Sequence, residues 1–398
     1  MERTQADIFI SGGGIAGLIA AAAFANQGLK VVLAEPSPPP NDASSTSSDL
    51  RSTAFLEPAR GLLEDIGLWS KLADHATPLE TLRVVDCIGH PPQIRTERAF
   101  KSSDLDAAAF GWNLPNWLTR KLLTDILLDS KQVDVRLGTG FKSILTRQSE
   151  AFVTLTDNTQ LRTRLAVAAD GRSSPLREAC GIDYSTTRYG QKALAFVVSH
   201  DLPHENVSTE LYLSGGAFTQ VPLPDANGRH HSAIVWMNDG NEAARLMSLS
   251  SEEFAQAATV RSCQLLGNMA LSSQRRAFPV VTQTANTLTS ERVALIAEAA
   301  HVLPPIGAQG LNTSLHDVAT LIELARNNPD DLGSAAFLEA YDAARATDIQ
   351  LRSKTIDMYN RLCRSDDPPL QALRSLGLKA VFDIAPLRRR IMRAGLGG

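Results

Sequence analysis

The sequence predicts an α/β protein: a Rossmann-like domain, an inserted and mostly antiparallel β-sheet domain, and a helical C-terminal region. Three observations predict it. The first is a strand, glycine turn, helix and strand in succession from Ile8 to Glu35. The second is a pair of distant apolar runs, Val167-Ala168-Ala169 and Val293-Ala294-Leu295-Ile296, that stop abruptly at loops as buried strands do. The third is a change of character over residues 183 to 280, where strand-like runs dominate.

In the N-terminal unit, Ile8-Phe9-Ile10 stops at Gly12-Gly13-Gly14, an Ala-rich helix follows, and Val31 to Leu33 leads to Glu35. The spacing is G-x-G-x-x-G on Gly12, Gly14 and Gly17, with the acid 18 residues after the last glycine. Gly12 permits the tight turn, Gly14 lets a pyrophosphate approach the backbone, and Gly17 lets the helix pack closely on the sheet. Ile15 and Ala16 open the helix, whose free N–H groups and dipole favour phosphate there. Glu35 is placed to accept hydrogen bonds from an adenosine ribose. The competing reading is a signal peptide, Arg3 and then an uncharged, largely apolar stretch from Ile8 to Ala25. Three adjacent glycines suit such a core poorly, and they also break up any membrane helix.

The 398 residues suffice for two or three structural units. A hydrophobic content of 43% with 21% charged residues is that of a soluble globular protein, and a net charge of −4 argues against general nucleic-acid binding. Cys87, Cys180, Cys263 and Cys363 lie far apart without a C-x-x-C, and read as reduced thiols in a cytoplasm rather than disulfides. His230-His231 is the one adjacent histidine pair, and no metal site is expected.

Along the chain, residues 36 to 49 form a Pro/Ser/Asp-rich loop that leads to Arg51. Arg51 reads either as a surface arginine or as a contact to a cofactor or substrate. Leu62, Leu63, Ile66, Leu68 and Leu72 recur at helical spacing from Glu57 to Leu72. Strands and loops fill residues 80 to 112, a helix runs from Trp117 to Leu128, and Val133 to Leu137 is a strand. Phe152 to Thr156 alternates, turns at Asp157-Asn158 and returns through Leu161. Asp170-Gly171 ends a buried run, and Ser173, Ser174 and Pro175 open the next helix. Ala193 to Val198, Glu210 to Leu213, Phe218 to Leu223 and Ser232 to Met237 are strands. Ala193 to Val198 is apolar on both faces, so its sheet is covered twice or lines a cavity. After Val293 to Ala297 come a Pro/Gly loop and a helix from Leu311 to Ala325. The rest is helical, with Tyr341, Arg345 and Asp348 on one face.

Three separated signatures together resemble the flavin-dependent aromatic hydroxylases of the p-hydroxybenzoate hydroxylase fold, and within them the ubiquinone-biosynthesis hydroxylases. They are Gly12 to Gly17 with Glu35; Ala169-Asp170-Gly171-Arg172-Ser173 with Arg177; and Ala297-Glu298-Ala299-Ala300-His301 followed by Pro304-Pro305-Ile306-Gly307-Ala308-Gln309-Gly310-Leu311-Asn312 and Asp317. Arg276-Ala277-Phe278-Pro279, Tyr189-Gly190-Gln191 and Asp357 to Arg361 resemble the ubiquinone branch. The resemblance implies an FAD-binding domain from residues 1–75, 113–182 and 276–326, a substrate domain from 76–112 and 183–275, and a helical region from 327–398.

It also implies FAD contacts at Gly12, Gly14, Ile15, Ala16, Gly17, Glu35, Arg51, Arg120, Asp170, Glu298, Pro305, Gly307, Gln309, Gly310, Leu311 and Asn312. Asp170 also reads as a structural turn, and Arg120 as surface charge. The loop from Pro304 to Asn312 precedes a helix, so its N–H groups and dipole can face the pyrimidine edge of a reduced, anionic flavin. His301 reads either as a loop-fixing histidine or as a proton-transfer residue, with Pro305 positioning the ring. The implied reaction is ring hydroxylation of a polyprenylated phenol by O2 through a flavin hydroperoxide, with NAD(P)H as donor. A small soluble aromatic substrate, or a flavin-poor scaffold for other ubiquinone-biosynthesis proteins, are the alternatives. The scaffold reading stems from a departure: Ala297-Glu298 stands where the family usually has Gly-Asp.

From Arg374 to Gly398, Arg374, Lys379, Arg388, Arg389, Arg390 and Arg393 face a single acid, Asp383, and are interleaved with apolar residues. This tail reads as a peripheral contact to anionic lipid on the inner face of the cell membrane, or as a helix packed on the body with a solvated basic side. Pro386 limits any helix there to short pieces.

Overall fold

In the computed structural model, which describes residues 4–365 and 367–396, the glycine turn sits at the centre of a six-stranded sheet. The strand order is Thr289–Ser290, Val293–Leu295, Leu165–Ala168, Ile8–Ser11, Val31–Glu35, Val133–Leu137. All neighbours are parallel except the edge strand Thr289–Ser290. Parallel order requires crossovers, and the helix Ile15–Asn26 supplies the first. Its apolar residues are buried all round, from Ala16 to Phe24, because the sheet lies beneath it and the helices Asn116–Leu128 and Gln309–Asn327 pack beside it. The approach is close: a methyl on Gly17 would collide with the Gly12 carbonyl oxygen.

The helix expected from Glu57 to Leu72 is in two parts, Glu57–Asp65 and Trp69–Leu72. Gly67, at φ +72°, turns the chain left-handed between them. Phe141–Thr146, Ala151–Leu155 and Gln160–Thr163 form a small sheet with Thr4–Gln5.

A larger, nine-stranded sheet forms the second layer. Tyr184–His200 is its long central strand, pairing with Arg229–Asp239 on one side and Arg276–Ala285 on the other. The sequence places Arg276 onward in the nucleotide domain, but Arg276–Ala285 is a full member of this sheet. The 17-residue strand Tyr184–His200 is long enough to hold a partner through Ala285. One face of the sheet packs Leu194, Phe196, Phe218 and Trp236 against Phe254 and the helices Gly240–Ser248 and Ser251–Arg261. The other packs Val84, Ala193, Tyr212 and Met237 against Ile356 of the C-terminal helices. Ala193–Val198 is therefore covered on both faces.

The 30-residue helix Ala335–Arg364 crosses both layers. Phe337, Leu338, Tyr341 and Ile349 enter the core of the six-stranded sheet, and Ile356 and Cys363 enter that of the larger one. Two further helices follow, Pro368–Asp383 and Ala385–Leu396, of 16 and 12 residues. Pro386 occupies the first turn of the second, where a missing N–H costs nothing. All four cysteines are free, but Cys87 and Cys263, far apart in sequence, meet with their sulfurs 3.6 Å apart.

Candidate active site

A cavity of about 1290 Å³ opens between the two sheets, bounded by the glycine turn at one end and the helix pair 368–396 at the other. Single-ligand pockets run to roughly 1,000 Å³, so this one has room for a cofactor and a second molecule. The helix Ile15–Asn26 has no side-chain cap, which leaves its first N–H groups, those of Ile15 and Ala16 among them, facing the cavity. A Cβ built on Gly14 meets nothing within 4 Å and points into open space. Glu35 accepts from the Gly13 N–H at 2.6 Å and the Ser37 N–H at 2.9 Å. Arg120 lies 3.3 Å from the Glu35 carboxylate and donates to the carbonyls of Gly13 at 2.9 Å and Ser37 at 2.5 Å. Arg120, which also lines the cavity, thus braces the turn, while the Glu35 oxygens keep further lone pairs for a ribose.

Arg51 lines the cavity, gripped by Asp49 through Nε at 2.9 Å and a terminal nitrogen at 2.8 Å, and stacked 4.8 Å from the Phe278 ring centre. Burial acts to raise the Asp49 carboxyl, but the charge and hydrogen bonds of Arg51 outweigh it and hold it below its ordinary value. Asp170 also lines the cavity. Its oxygens accept from Ser11 Oγ at 2.9 Å, from Ser174 Oγ and from the Leu176 N–H at 3.2 Å, so it fixes the turn into the short helix Pro175–Ala179. Burial raises its pKa. Arg177, itself buried, joins the second signature to the third by donating to the Ala299 carbonyl at 2.8 Å.

At the third signature Ala297 is in the left-handed region, φ +55°, and Glu298 is exposed toward the cavity. Asp317, fully buried, collects three donors here: the Ala297 N–H at 3.0 Å, His301 Nε2 at 2.7 Å and Arg345 Nε at 2.9 Å. Burial acts to raise the Asp317 carboxyl, but the His301 and Arg345 partners prevail and lower it. The structure directs the His301 Nε2 into the core, and its Nδ1 is buried without a partner. From Arg345 the ion pairs continue to Asp348 at 2.7 Å and on to Arg352 at 2.8 Å. Arg352 then holds Gln309 Oε1 at 3.0 Å, and Gln309 Nε2 donates to the Gly395 carbonyl at 3.0 Å.

The loop before Gln309 presents Pro305 and Gly307 to the cavity, and Ala308, at φ +55°, swings the chain into an uncapped helix. Gly310 and Leu311, in its first turn, both line the cavity. Asn312 is buried and fully used: it accepts from the Leu56 N–H at 3.0 Å and donates to the carbonyls of Ala54 at 2.8 Å and Ala308 at 2.7 Å. Its side chain pins the loop to the strand Ser52–Leu56.

The other half of the cavity is lined by Leu82, Val84, Phe100, Val221, Val235, Leu303, Val381 and Met392. Within it Tyr359 donates to the Tyr212 hydroxyl at 2.9 Å, and Tyr212 donates to Glu210. Burial raises the Glu210 carboxyl, opposed by the Tyr212 hydroxyl and a Gly307 N–H, and burial raises both phenols well above their ordinary value. The sequence places Glu210 and Tyr212 in a strand without singling them out. Their signal was an acid two residues from a tyrosine, hence on one face, with Leu211 and Leu213 on the other.

The stretches that resemble the ubiquinone branch also meet. Tyr189 donates to Asp357 at 2.6 Å, Asn360 to Gln191 at 3.1 Å, and Arg364 to the Tyr189 carbonyl at 2.7 Å.

Comparison with known proteins agrees with this geometry. The FAD binding domain family matches residues 5–351. Ubiquinone hydroxylase UbiL of Rhodospirillum rubrum is 32% identical over 396 residues, covering 98% of this chain and 90% of that protein. The mitochondrial ubiquinone biosynthesis monooxygenase COQ6 of Mus musculus is 27% identical, covering 98% and 90%. Among solved structures, p-nitrophenol 4-monooxygenase PnpA of Pseudomonas putida DLL-E4 superposes with a TM-score of 0.81 at 18% identity, over 100% of this chain and 99% of that one. The chain belongs to the FAD binding domain family, as an FAD-dependent monooxygenase of the p-hydroxybenzoate hydroxylase fold.

Proposed function

We propose that this protein hydroxylates the aromatic ring of a polyprenylated phenol in ubiquinone biosynthesis, using FAD, O2 and NAD(P)H. The observation that carries this is the shared cavity: an uncapped glycine turn at one end and an apolar chamber holding Glu210, Tyr212 and Tyr359 at the other. The residues present fit FAD. Gly14 leaves its side-chain volume empty, and the N–H groups of Ile15 and Ala16 would hold a diphosphate there. Glu35 has lone pairs that would take a ribose, Glu298, which lines the cavity, would accept from the ribityl chain, and the uncapped Gln309 helix would hold the isoalloxazine. When bound and reduced, FAD supplies an activated oxygen atom from O2.

This chain's own residues exclude water, hold the ring and move a proton. The apolar chamber walls keep the reacting atoms dry. A phenol against Tyr359 passes its proton along Tyr359 and Tyr212 to Glu210, leaving an electron-rich ring. The described lining of the chamber carries Asp86 and Glu210 but no arginine or lysine, Arg51 and Arg120 being at the nucleotide end. That favours an uncharged phenol over a small aromatic acid, which requires a cationic anchor.

Among the described residues no helix is long and apolar enough to cross a membrane. Peripheral docking is supported by the last helix: Leu387 is exposed beside Arg389, Arg390 and Arg393, while Ile391 and Met392 line the cavity, Met392 being buried. A bilayer there delivers a prenyl chain straight to the chamber. The deciding experiment is complementation of ubiquinone-deficient strains, each blocked at one ring hydroxylation. Rescue of one strain supports the reading; rescue of none, by a protein that retains flavin, overturns it.

A further inference from the structure

The apolar core behind the chamber wall contains a feature that ring hydroxylation does not use. Cys87 is the last residue but one of the strand Thr81–Ile88 and is fully buried, while Cys263 sits in the left-handed turn after the helix Ser251–Arg261 and is partly exposed. Their sulfurs are 3.6 Å apart, and the Cys263 thiol also points at the Pro92 carbonyl, 3.8 Å away. A disulfide needs about 2.05 Å between sulfurs, so the gap left to close is ~1.5 Å.

From this geometry we infer that Cys87 and Cys263 are a peroxide-responsive pair, in which Cys263 is oxidised first and Cys87 closes a disulfide beneath the chamber wall. The two sites divide the roles. Cys263 is the one that solvent reaches, and the Cys87 hydrogen bond and the Arg261 charge lower its thiol, which favours the nucleophilic thiolate. Cys87, sealed from solvent, is raised instead by the Cys263 hydrogen bond and by burial, and waits as the resolving thiol. In the first step the Cys263 thiolate attacks hydrogen peroxide, the O–O bond breaks, an S–O bond forms and hydroxide leaves. In the second, Cys87 sulfur displaces that oxygen: the S–S bond forms, the S–O bond breaks, and the Cys87 proton leaves with it as water.

The peroxide source rests on the proposed flavin function, because a flavoenzyme that reduces O2 without inserting oxygen into its substrate releases hydrogen peroxide. The placement suits local capture. Asp86, next to Cys87, faces the chamber and is held by Arg95 Nε at 2.7 Å, and Arg95 also donates to the Gln371 carbonyl at 2.6 Å on the helix Pro368–Asp383. A covalent tie at Cys87 therefore fixes the strand end from which that helix is hung.

The test uses the full-length protein and mass spectrometry, not turnover. Native protein treated with dilute hydrogen peroxide should lose two of its four titratable thiols, yield one Cys87–Cys263 linked peptide on non-reducing digestion, and recover both thiols with dithiothreitol. Cys87→Ser keeps a hydrogen-bond donor to Cys263 but removes the resolving thiol, so Cys263 should instead gain two or three oxygens irreversibly; Cys263→Ser should leave Cys87 unmodified. If all four thiols survive peroxide in folded protein, or if Cys180 or Cys363 reacts before Cys263, the pair has no such role. Adding NAD(P)H and O2 without substrate in place of peroxide separates the two ideas. Linkage with peroxide but none with NAD(P)H and O2 leaves the pair standing and counts against the flavin reading.

Discussion

Replacing Asp317 by Asn should destabilise the protein by about 2–4 kcal/mol without altering the cavity lining. Asp317 receives three donors, and its two oxygens are both used: one by Arg345 Nε, the other by His301 Nε2 and the Ala297 N–H. An amide keeps the shape but has one oxygen, so its NH2 group must face either the guanidinium or the imidazole and the Ala297 N–H. Breaking a buried ion pair by removing one charge costs about 3–5 kcal/mol. Asp348, 2.7 Å from Arg345, remains as a second partner and softens that loss. The measurement is urea unfolding at neutral pH, in which the midpoint should fall while the slope is unchanged. Acid supplies the sign check. The folded pKa of Asp317 is depressed, so its contribution is fully present above the unfolded value near 3.8 and is lost as pH falls through the lower folded pKa. The wild-type advantage should therefore persist at mildly acidic pH and shrink only below that range. A loss under about 0.5 kcal/mol, the size of an ordinary surface change, would refute the claim that this carboxylate holds the third signature in place.

Gly14→Val should fold normally, since nothing lies within 4 Å of the added Cβ, yet lose its flavin, because the side chain fills the pyrophosphate space; a fully yellow variant contradicts the assignment. Ala297→Gly with Glu298→Asp should keep hydroxylation and preserve or modestly tighten FAD binding, and relief of the φ +55° alanine should add roughly 0.5–1 kcal/mol of stability by thermal unfolding. Loss of activity with flavin still bound would give the longer Glu298 a specific task. Glu210→Gln should retain flavin while hydroxylation falls by about 10²–10⁴-fold. In the parent enzyme, activity should drop as pH falls through a Glu210 pKa raised by burial above 4.5, and an unchanged acid limb in the variant removes Glu210 from the proton path. Truncation before Arg388 should abolish low-salt sedimentation with anionic vesicles, which equal binding by both proteins would disprove.

What was legible in the sequence was local. The glycine turn, Asp170-Gly171 and the Pro304 loop each combine a short spacing with a backbone requirement, so each can be read from a dozen consecutive residues. What was hidden depends on strand pairing across long separations. Glu210 and Tyr212 meet Tyr359 only because the larger sheet presents one strand to the helix Ala335–Arg364. Cys87 reaches Cys263 across 176 positions, a separation from which the chain suggested four isolated thiols. His301 was ambiguous because a histidine after a buried strand can face either way, and the deciding residue, Asp317, lies on another element. The pairing of Arg276–Ala285 was hidden for a related reason: a strand that returns toward the first sheet still pairs within the larger one.

The helix Ala335–Arg364, at 30 residues and 1.5 Å per residue, is about 45 Å long, and it is riveted at both ends. Near its start Tyr341 donates to the Leu295 carbonyl at 2.8 Å and Arg345 enters the Asp317 cluster. Near its end Asp357 and Asn360 grip Tyr189 and Gln191 of the larger sheet. Such a spine splints the two layers against each other, so opening them like a clam shell would break buried polar bonds at one end or the other. Traffic into the chamber must then use a wall the splint does not hold. The helices Pro368–Asp383 and Ala385–Leu396 form that wall, latched to the body by Arg388 with Asp104 at 3.5 Å and by the buried hydroxyl pair of Thr96 and Ser375 at 2.9 Å. A molecule whose halves are locked leaves this two-helix wall, on the side that carries the arginines, as the expected entrance.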